Sequence, residues 1–81
     1  MSFLRTFIQD EEFQVNYSNK KLNIKNYTKI NYLEESRISL NFQGGTIIVY
    51  GTNLRIKKLL EQEILVDGNI ENIELKRVKN G

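Results

Sequence analysis

From Phe13 onward, apolar side chains recur at every second position along the chain. Successive residues of a β-strand point to opposite faces, so this pattern predicts strands that each bury one face. Turn residues separate these runs, as in Ser18-Asn19, Gly44-Gly45 and Asp67-Gly68. The spacing of about 8–12 residues between turn signals is typical of antiparallel all-β domains. The sequence therefore predicts an all-β fold, a small antiparallel sandwich or partly closed barrel of about seven or eight short strands.

The first twelve residues follow a different pattern. Their apolar side chains lie at helical spacing, at Phe3, Leu4, Phe7 and Ile8. Residues 1–12 are therefore predicted to form a short helix or arm, and residues 13–81 a single β domain. The apolar face of the arm has two interpretations, a lid on the end of the sheet or a docking segment for a membrane or a partner.

One strand differs from the others because it is apolar on both faces. It runs over residues 46–50 and has the sequence Thr-Ile-Ile-Val-Tyr. Such a strand is buried on both sides, either between two layers of one molecule or at an interface between molecules. The second interpretation predicts a homo-oligomer. The candidate association surface then comprises Ile47 and Val49, together with Phe3, Leu4, Phe7 and Ile8.

The last strand changes phase. Ile70 starts it, but Ile73 and Leu75 fall on the opposite face of a regular strand. Either a β-bulge near Glu71-Asn72 corrects the register, or the strand contacts two different layers.

The chain contains neither cysteine nor histidine in its 81 residues. Nucleophilic sites that need a thiolate or an imidazole base are therefore excluded, as are disulfides, and structural zinc is disfavoured. We predict no catalytic residues, no metal ligands and no cofactor. A chain this short has a marginal core, so closure of the sheet or pairing with another copy is its main source of further burial.

A basic stripe with aromatic residues is the basis of an alternative function. Small β-barrels that bind single-stranded nucleic acid combine lysines with exposed aromatic rings. The net charge of +2 is too small to indicate such a function by itself. Nucleic-acid binding is therefore the second hypothesis. Its candidate residues are Lys20, Lys21, Lys25 and Lys29, with Tyr17, Tyr27 and Tyr32 as stacking platforms.

The sequence contains no apolar run of the roughly 18–20 residues that span a bilayer. Charged residues also interrupt the N-terminal apolar stretch, which is untypical of a signal peptide. We therefore expect a cytoplasmic protein without a transmembrane segment of its own.

The ordered glycines and the residues between them resemble the YabP/YqfC family, with YqfC-like members more similar. The discriminating positions are Gly45, Gly51 and Gly68, with Asn53-Leu54 between the last two. The resemblance covers roughly Phe13 to Leu75. Further matching segments are Asn26-Tyr27-x-x-Ile30, Ile38-x-Leu40, Ile47-x-Val49 and Glu63-Ile64-Leu65-Val66. We interpret Gly45, Gly51, Asn53 and Gly68 as turn positions of the family pattern.

This resemblance implies a role in endospore formation, on the mother-cell side of the developing spore. Family members are associated with a multi-pass membrane protein encoded nearby, which implies such a partner and membrane association through it. The family implies no enzyme activity, cofactor or catalytic residue. The hypothesis is a non-enzymatic structural or assembly protein that self-associates and docks to a membrane protein.

Overall fold

The computed structural model describes residues 13–77, which form one sheet of six antiparallel strands. The predicted all-β antiparallel fold is therefore confirmed, and the predicted helix or arm at residues 1–12 lies outside the described residues. The order across the sheet is β1-β2-β6-β5-β4-β3. The strands are β1 (Gln14–Ser18), β2 (Lys21–Lys25), β3 (Lys29–Leu33), β4 (Arg37–Phe42), β5 (Gly45–Leu60) and β6 (Glu63–Arg77).

The strand count is lower than predicted because two strands are long. β5 has 16 residues and β6 has 15, whereas a typical strand has about five or six. Leu59 and Leu60 are the last two residues of β5, and Glu61-Gln62 form the hairpin turn. Gly51 and Asn53 also lie inside β5, so the chain does not reverse at these predicted turn positions.

The β5–β6 hairpin bends near its middle. The pairing register shifts between Tyr50 and Gly51 and again between Thr52 and Arg55. Near the bend, Asn53 has a φ of 52° and Gly68 a φ of 122°. Bulges of this kind bend a strand and increase its twist. The hairpin can therefore fold over instead of extending as a flat ribbon.

Close backbone approach explains why glycine occupies Gly51 and Gly68. A Cβ atom on Gly51 would collide with the carbonyl oxygen of Asn69, and one on Gly68 would lie 2.9 Å from the Cα of Leu54. Any side chain at either position would push the two strands apart. Gly45 has the same role at the start of β5, where a Cβ would collide with the carbonyl oxygen of Lys76.

The bend divides the sheet into two half-sheets. The β3–β4 half-sheet contains β3, β4, the first half of β5 and the second half of β6. The β1–β2 half-sheet contains β1, β2, the second half of β5 and the first half of β6. Within residues 13–77 the outermost strands β1 and β3 do not pair, so the sheet is open and is not a closed barrel.

The segment between β2 and β3 links the two half-sheets at one end. The Asn26 N–H donates to the Gln62 carbonyl at 2.6 Å, and the Tyr27 hydroxyl donates to the Leu60 carbonyl at 2.7 Å. The Thr28 N–H donates to the Asn41 carbonyl at 2.8 Å. This segment therefore connects the hairpin tip with the end of β4.

The two half-sheets bury one continuous core between them. Fully covered aliphatic side chains come from β2 and β6 on one side and from β4 and β5 on the other. Each such side chain stabilises the fold by about 1.5–3 kcal/mol relative to exposure. The buried cluster consists of Leu22, Ile24, Tyr27, Ile38, Leu40, Phe42, Ile47, Val49, Leu54, Ile64 and Val66.

Candidate association surface

Ile47 and Val49, which were predicted to contact another molecule, lie in the core instead. Both side chains have no exposed surface. They face the aliphatic side chains of β2 and β6 within the same cluster. In this fold they cannot contact a partner, so the prediction that they form an association surface is wrong. Phe3, Leu4, Phe7 and Ile8, the rest of that predicted surface, lie outside the described residues.

The opposite face of the β3–β4 half-sheet is mainly polar. The Asn31 amide donates to the Ser39 hydroxyl at 3.0 Å and to Asn41 Oδ1 at 2.9 Å, and the Thr46 hydroxyl also donates to Asn41 Oδ1. Ile48 lies on this face and is nevertheless buried. The second apolar face expected for residues 46–50 is therefore one isoleucine flanked by a hydrogen-bonded polar network.

Tyr50 and Glu74 extend this polar face across to β6. The Tyr50 hydroxyl donates to Glu74 Oε1 at 3.0 Å. That hydrogen bond to the carboxylate is the main reason why the pKa of Tyr50 is raised above its usual value. Glu63, on the other half-sheet, accepts a hydrogen bond from the Asn23 amide at 2.9 Å, which lowers the pKa of its carboxyl. Both carboxylates therefore have a direct hydrogen-bond donor within the sheet.

The second half of β6 forms an open strand edge. β2 pairs with β6 only from Glu63 to Asp67, and β5 pairs with β6 as far as Arg77. Among the described residues, 70–77 therefore have a strand neighbour on one side only. We call residues 70–77 the β6 edge. Unpaired edges of this kind present backbone N–H and C=O groups to any extended chain that approaches.

Two aliphatic side chains of the β6 edge remain exposed on the core-facing side. Ile73 lies opposite Val49 and is 37% exposed, and Leu75 lies opposite Ile47 and is 48% exposed. They continue the buried rows of the half-sheet outward to its rim. At the other rim, on β3, Leu33 is also exposed.

A β-bulge causes the change in side-chain alternation along β6. Asn72 pairs with Tyr50, and Ile70 pairs with the next residue of β5, Gly51. Glu71 is therefore the additional residue of a bulge, which confirms one of the two predicted explanations. Alternation does not reveal that Ile73 and Leu75 are exposed, because it gives the face of a side chain and not whether that face is covered.

A second exposed apolar group lies at the tip of the hairpin. Leu59 and Leu60 are each about half exposed at the end of β5. The nearby Lys58 ammonium lies 3.9 Å from Glu63 Oε2. The tip is shorter than the β6 edge and lies against the turn, so it offers less backbone to a partner.

The structure does not bring the predicted nucleic-acid residues into one site. Tyr27 is buried and donates its hydroxyl to a backbone carbonyl, so it offers no ring face for stacking. Tyr32 lies under the Arg37 guanidinium, 5.0 Å from the ring centre. Tyr32 pairs with Ser39 and lies on the polar face of the half-sheet, because the register of β3 shifts between Ile30 and Tyr32. Tyr17 alone remains freely exposed, near Lys20 and Lys21 at the β1–β2 turn.

The predicted turn positions of the family pattern share a different role. Gly45 follows the Gln43-Gly44 turn as the first residue of β5, and Gly51 and Asn53 lie further along the same strand. Gly68 lies on β6 against the backbone of Asn53. These positions therefore allow the close approach of β5 and β6 and do not reverse the chain.

Residues 13–77 provide neither a metal-binding cluster nor a membrane-spanning helix. These residues contain no group of three or more acidic, histidine or cysteine side chains arranged to hold a metal ion. In the same range, no helix has the length and apolar character needed to cross a membrane.

Comparison with known proteins identifies the family to which this fold belongs. Neither a curated protein nor a solved structure matches the chain. The model of the YabP family matches residues 12–81, which is nearly the whole chain and includes all six strands. The closer similarity to YqfC-like members stays a prediction. On this match, the chain belongs to the YabP family, and that membership indicates a sporulation-related protein.

Proposed function

We propose that this protein is a non-enzymatic structural or assembly protein of endospore formation, which self-associates and docks to a membrane protein. Membership of the YabP family supports the sporulation context. The observation that carries the assembly role is the β6 edge, where Ile73 and Leu75 are exposed beside an unpaired stretch of backbone within the described residues. Both features favour contact with another polypeptide.

The protection of the sheet edges supports this proposal. Natural proteins protect exposed edges with very short strands, charged side chains or coverage by another segment. β1 and β3 are short, at five residues each. The β6 edge is longer and combines charged residues with aliphatic ones on its core-facing side. Such a strand is suited to pairing with a partner.

The proposal that the protein is not an enzyme is supported by the state of its ionisable groups. Several carboxylates are held in structural contacts, including Glu74 with Tyr50 and Asp67 with Arg55, whose Nε lies 3.3 Å from Asp67 Oδ1. The lack of histidine and cysteine removes the commonest bases and nucleophiles.

The membrane partner is proposed from the family resemblance. This resemblance implies a multi-pass membrane protein encoded near the gene for this chain. The protein would then act on the cytoplasmic, mother-cell side and reach the membrane through that partner. The exposed apolar residues of the β6 edge and of the hairpin tip provide two separate surfaces for the two kinds of contact.

Light scattering and membrane fractionation test the two parts of this function. We expect the full chain alone to form particles of more than one copy, and to accompany the co-expressed membrane protein into the membrane fraction. Leu75→Lys should reduce particle size, because it places a charge among aliphatic side chains. Asn16→Lys, which adds the same charge on exposed β1, is the matched control and should change nothing.

Two results would contradict the proposal separately. A monodisperse monomer at high protein concentration would exclude self-association. A protein that stays out of the membrane fraction in the presence of the membrane protein would exclude docking. The two results are independent of each other.

A further inference from the structure

We propose that the β6 edge joins two copies of this chain as antiparallel strands, with Leu75 of each copy on the two-fold axis. This inference rests on the self-association proposed above and names its site and register. The contact would extend the sheet of one copy directly into the sheet of the other. Its occupant is a second copy of the same strand.

The direction of the backbone groups supports pairing at this edge. Gln43-Gly44 is a two-residue turn, so its flanking pair Phe42–Gly45 is hydrogen-bonded. Hydrogen-bonded and non-hydrogen-bonded pairs then alternate along the β4–β5 ladder, and Ser39–Ile48 is a non-hydrogen-bonded pair. The backbone N–H and C=O groups of Ile48 therefore point away from β4 and toward β6, where Ile48 pairs with Glu74.

The same alternation fixes the outward groups of β6. Because the backbone groups of Glu74 and Lys76 point to β5, those of Ile73, Leu75 and Arg77 point away from it. These three residues present N–H and C=O groups at the rim, at alternate positions as a new antiparallel strand requires. The side chains of these three residues lie on the core-facing side of the sheet.

The charge sequence of the edge indicates that its partner is an identical strand. Acidic Glu71 and Glu74 precede basic Lys76 and Arg77. In an antiparallel pair of identical strands, the acidic part of one copy lies opposite the basic part of the other. Opposite charges across a strand pair are stabilising, and like charges directly opposite are destabilising.

This charge sequence also selects one register. With Leu75 on the axis, Glu74 of each copy lies opposite Lys76 of the other. An axis at Glu74 places two glutamates face to face, and an axis at Lys76 places two lysines face to face. An axis at Ile73 avoids like charges but creates no opposite pair. The axis at Leu75 is therefore favoured.

The apolar side chains fit the same register. The two Leu75 side chains meet on the axis, on the face that already carries the core rows. Ile73 of each copy then lies opposite Arg77 of the other, whose aliphatic stem can cover it while the guanidinium stays in water. The half-exposed aliphatic residues at this rim become covered, which is the expected gain in apolar burial.

The first experiment uses the absence of native cysteine. Leu75→Cys places one thiol per copy on the axis, where paired Cα atoms of about 5.5 Å separation permit a disulfide. Leu59→Cys is the matched control, because Leu59 is 49% exposed and Leu75 is 48% exposed. On mild oxidation of the full chain, Leu75→Cys should form covalent dimer about tenfold faster or more, since pairing raises the local thiol concentration.

The second experiment reverses charges. Lys76→Glu places acids opposite each other twice in the dimer, so we expect dimer affinity to fall by about tenfold in light scattering or sedimentation. The double variant Glu74→Lys/Lys76→Glu restores opposite charges and should recover most of that affinity. Circular dichroism verifies that each variant is folded.

The outcomes separate this inference from the proposed function. A multimer in which Leu75→Cys forms covalent dimer no faster than Leu59→Cys retains self-association but overturns the β6 edge as its site. Failure of the charge swap to recover affinity overturns the register. A chain that is monomeric at every concentration overturns both self-association and this inference. The occupant of the β6 edge would then be residues 1–12 or another protein.

Discussion

At the scale of single residues, glycines determine how closely β5 and β6 approach. Gly44 and Gly68 both have positive φ, 111° and 122°, but their surroundings differ. A Cβ on Gly44 would make only ordinary contact, 3.8 Å from the Phe42 ring. A Cβ on Gly68 would press into the backbone of Asn53 and Leu54. A side chain at Gly44 would therefore cause backbone strain alone, whereas one at Gly68 would cause both strain and a steric collision.

We predict that Gly68→Ala destabilises the fold more than Gly44→Ala does. The Gly44 variant should lose about 1–3 kcal/mol, because alanine is forced into a φ region that it rarely adopts. The Gly68 variant has that same strain and also displaces two strands. Urea unfolding monitored by circular dichroism measures both values. Equal losses of unfolding free energy in the two variants would show that the β5 backbone moves away from the added Cβ without further destabilisation.

At the scale of strands, one row of aliphatic side chains runs across the β3–β4 half-sheet and is buried at its centre but exposed at both ends. Ile38, Val49 and Ile73 occupy neighbouring strands at paired positions, and Leu33 pairs with Ile38 at the rim. The two central side chains are covered and the two outer ones are exposed. Position in the row therefore decides whether a side chain stabilises the fold or is available for binding.

We predict opposite effects for lysine at two paired positions. Val49→Lys should prevent stable folding, because an unpaired charge in the core is strongly unfavourable. Ile73→Lys should leave the fold intact and weaken self-association, because its side chain reaches water. A thermal melt followed by light scattering distinguishes them. A folded Val49→Lys variant with full secondary structure would contradict the assignment of Val49 to the core.

At the scale of the whole molecule, the two half-sheets stabilise each other through one shared core. Phe13, before β1, stacks on Phe42 at the end of β4, with ring centres 4.0 Å apart. The segment around Tyr27 links the half-sheets through the hydrogen bonds to Leu60 and Asn41. Neither half-sheet has a second layer of its own among the described residues. We therefore expect them to unfold together.

We predict a single cooperative unfolding transition for the full chain. Circular dichroism and tyrosine fluorescence should give coincident curves in urea, as two-state unfolding requires. Phe13→Ala should shift both curves equally, with a loss of about 0.5–1.5 kcal/mol for the ring pair beyond its buried area. The control Tyr17→Ala removes an exposed ring and should shift them little. Two separated transitions would show that the half-sheets fold independently.

The sequence alone determined the local properties of this protein. Alternation from Phe13 onward gave the all-β class and the phase of most strands, and the shift at Ile73 gave the bulge at Glu71. The glycine pattern gave the family resemblance, which the family match confirms. These features depend on neighbouring residues, whose spacing is visible in the sequence.

Only the tertiary structure decided what each strand faces. Val49 and Ile73 have similar aliphatic side chains and lie in the same row, but one is buried and the other exposed. Alternation cannot distinguish them, because coverage depends on strands distant in the sequence. Likewise, Gly51 and Gly68 resemble turn residues locally, and the pairing of β5 with β6 makes them points of close backbone approach instead. The open β6 edge follows from where β2 stops pairing, a long-range register that no local pattern contains.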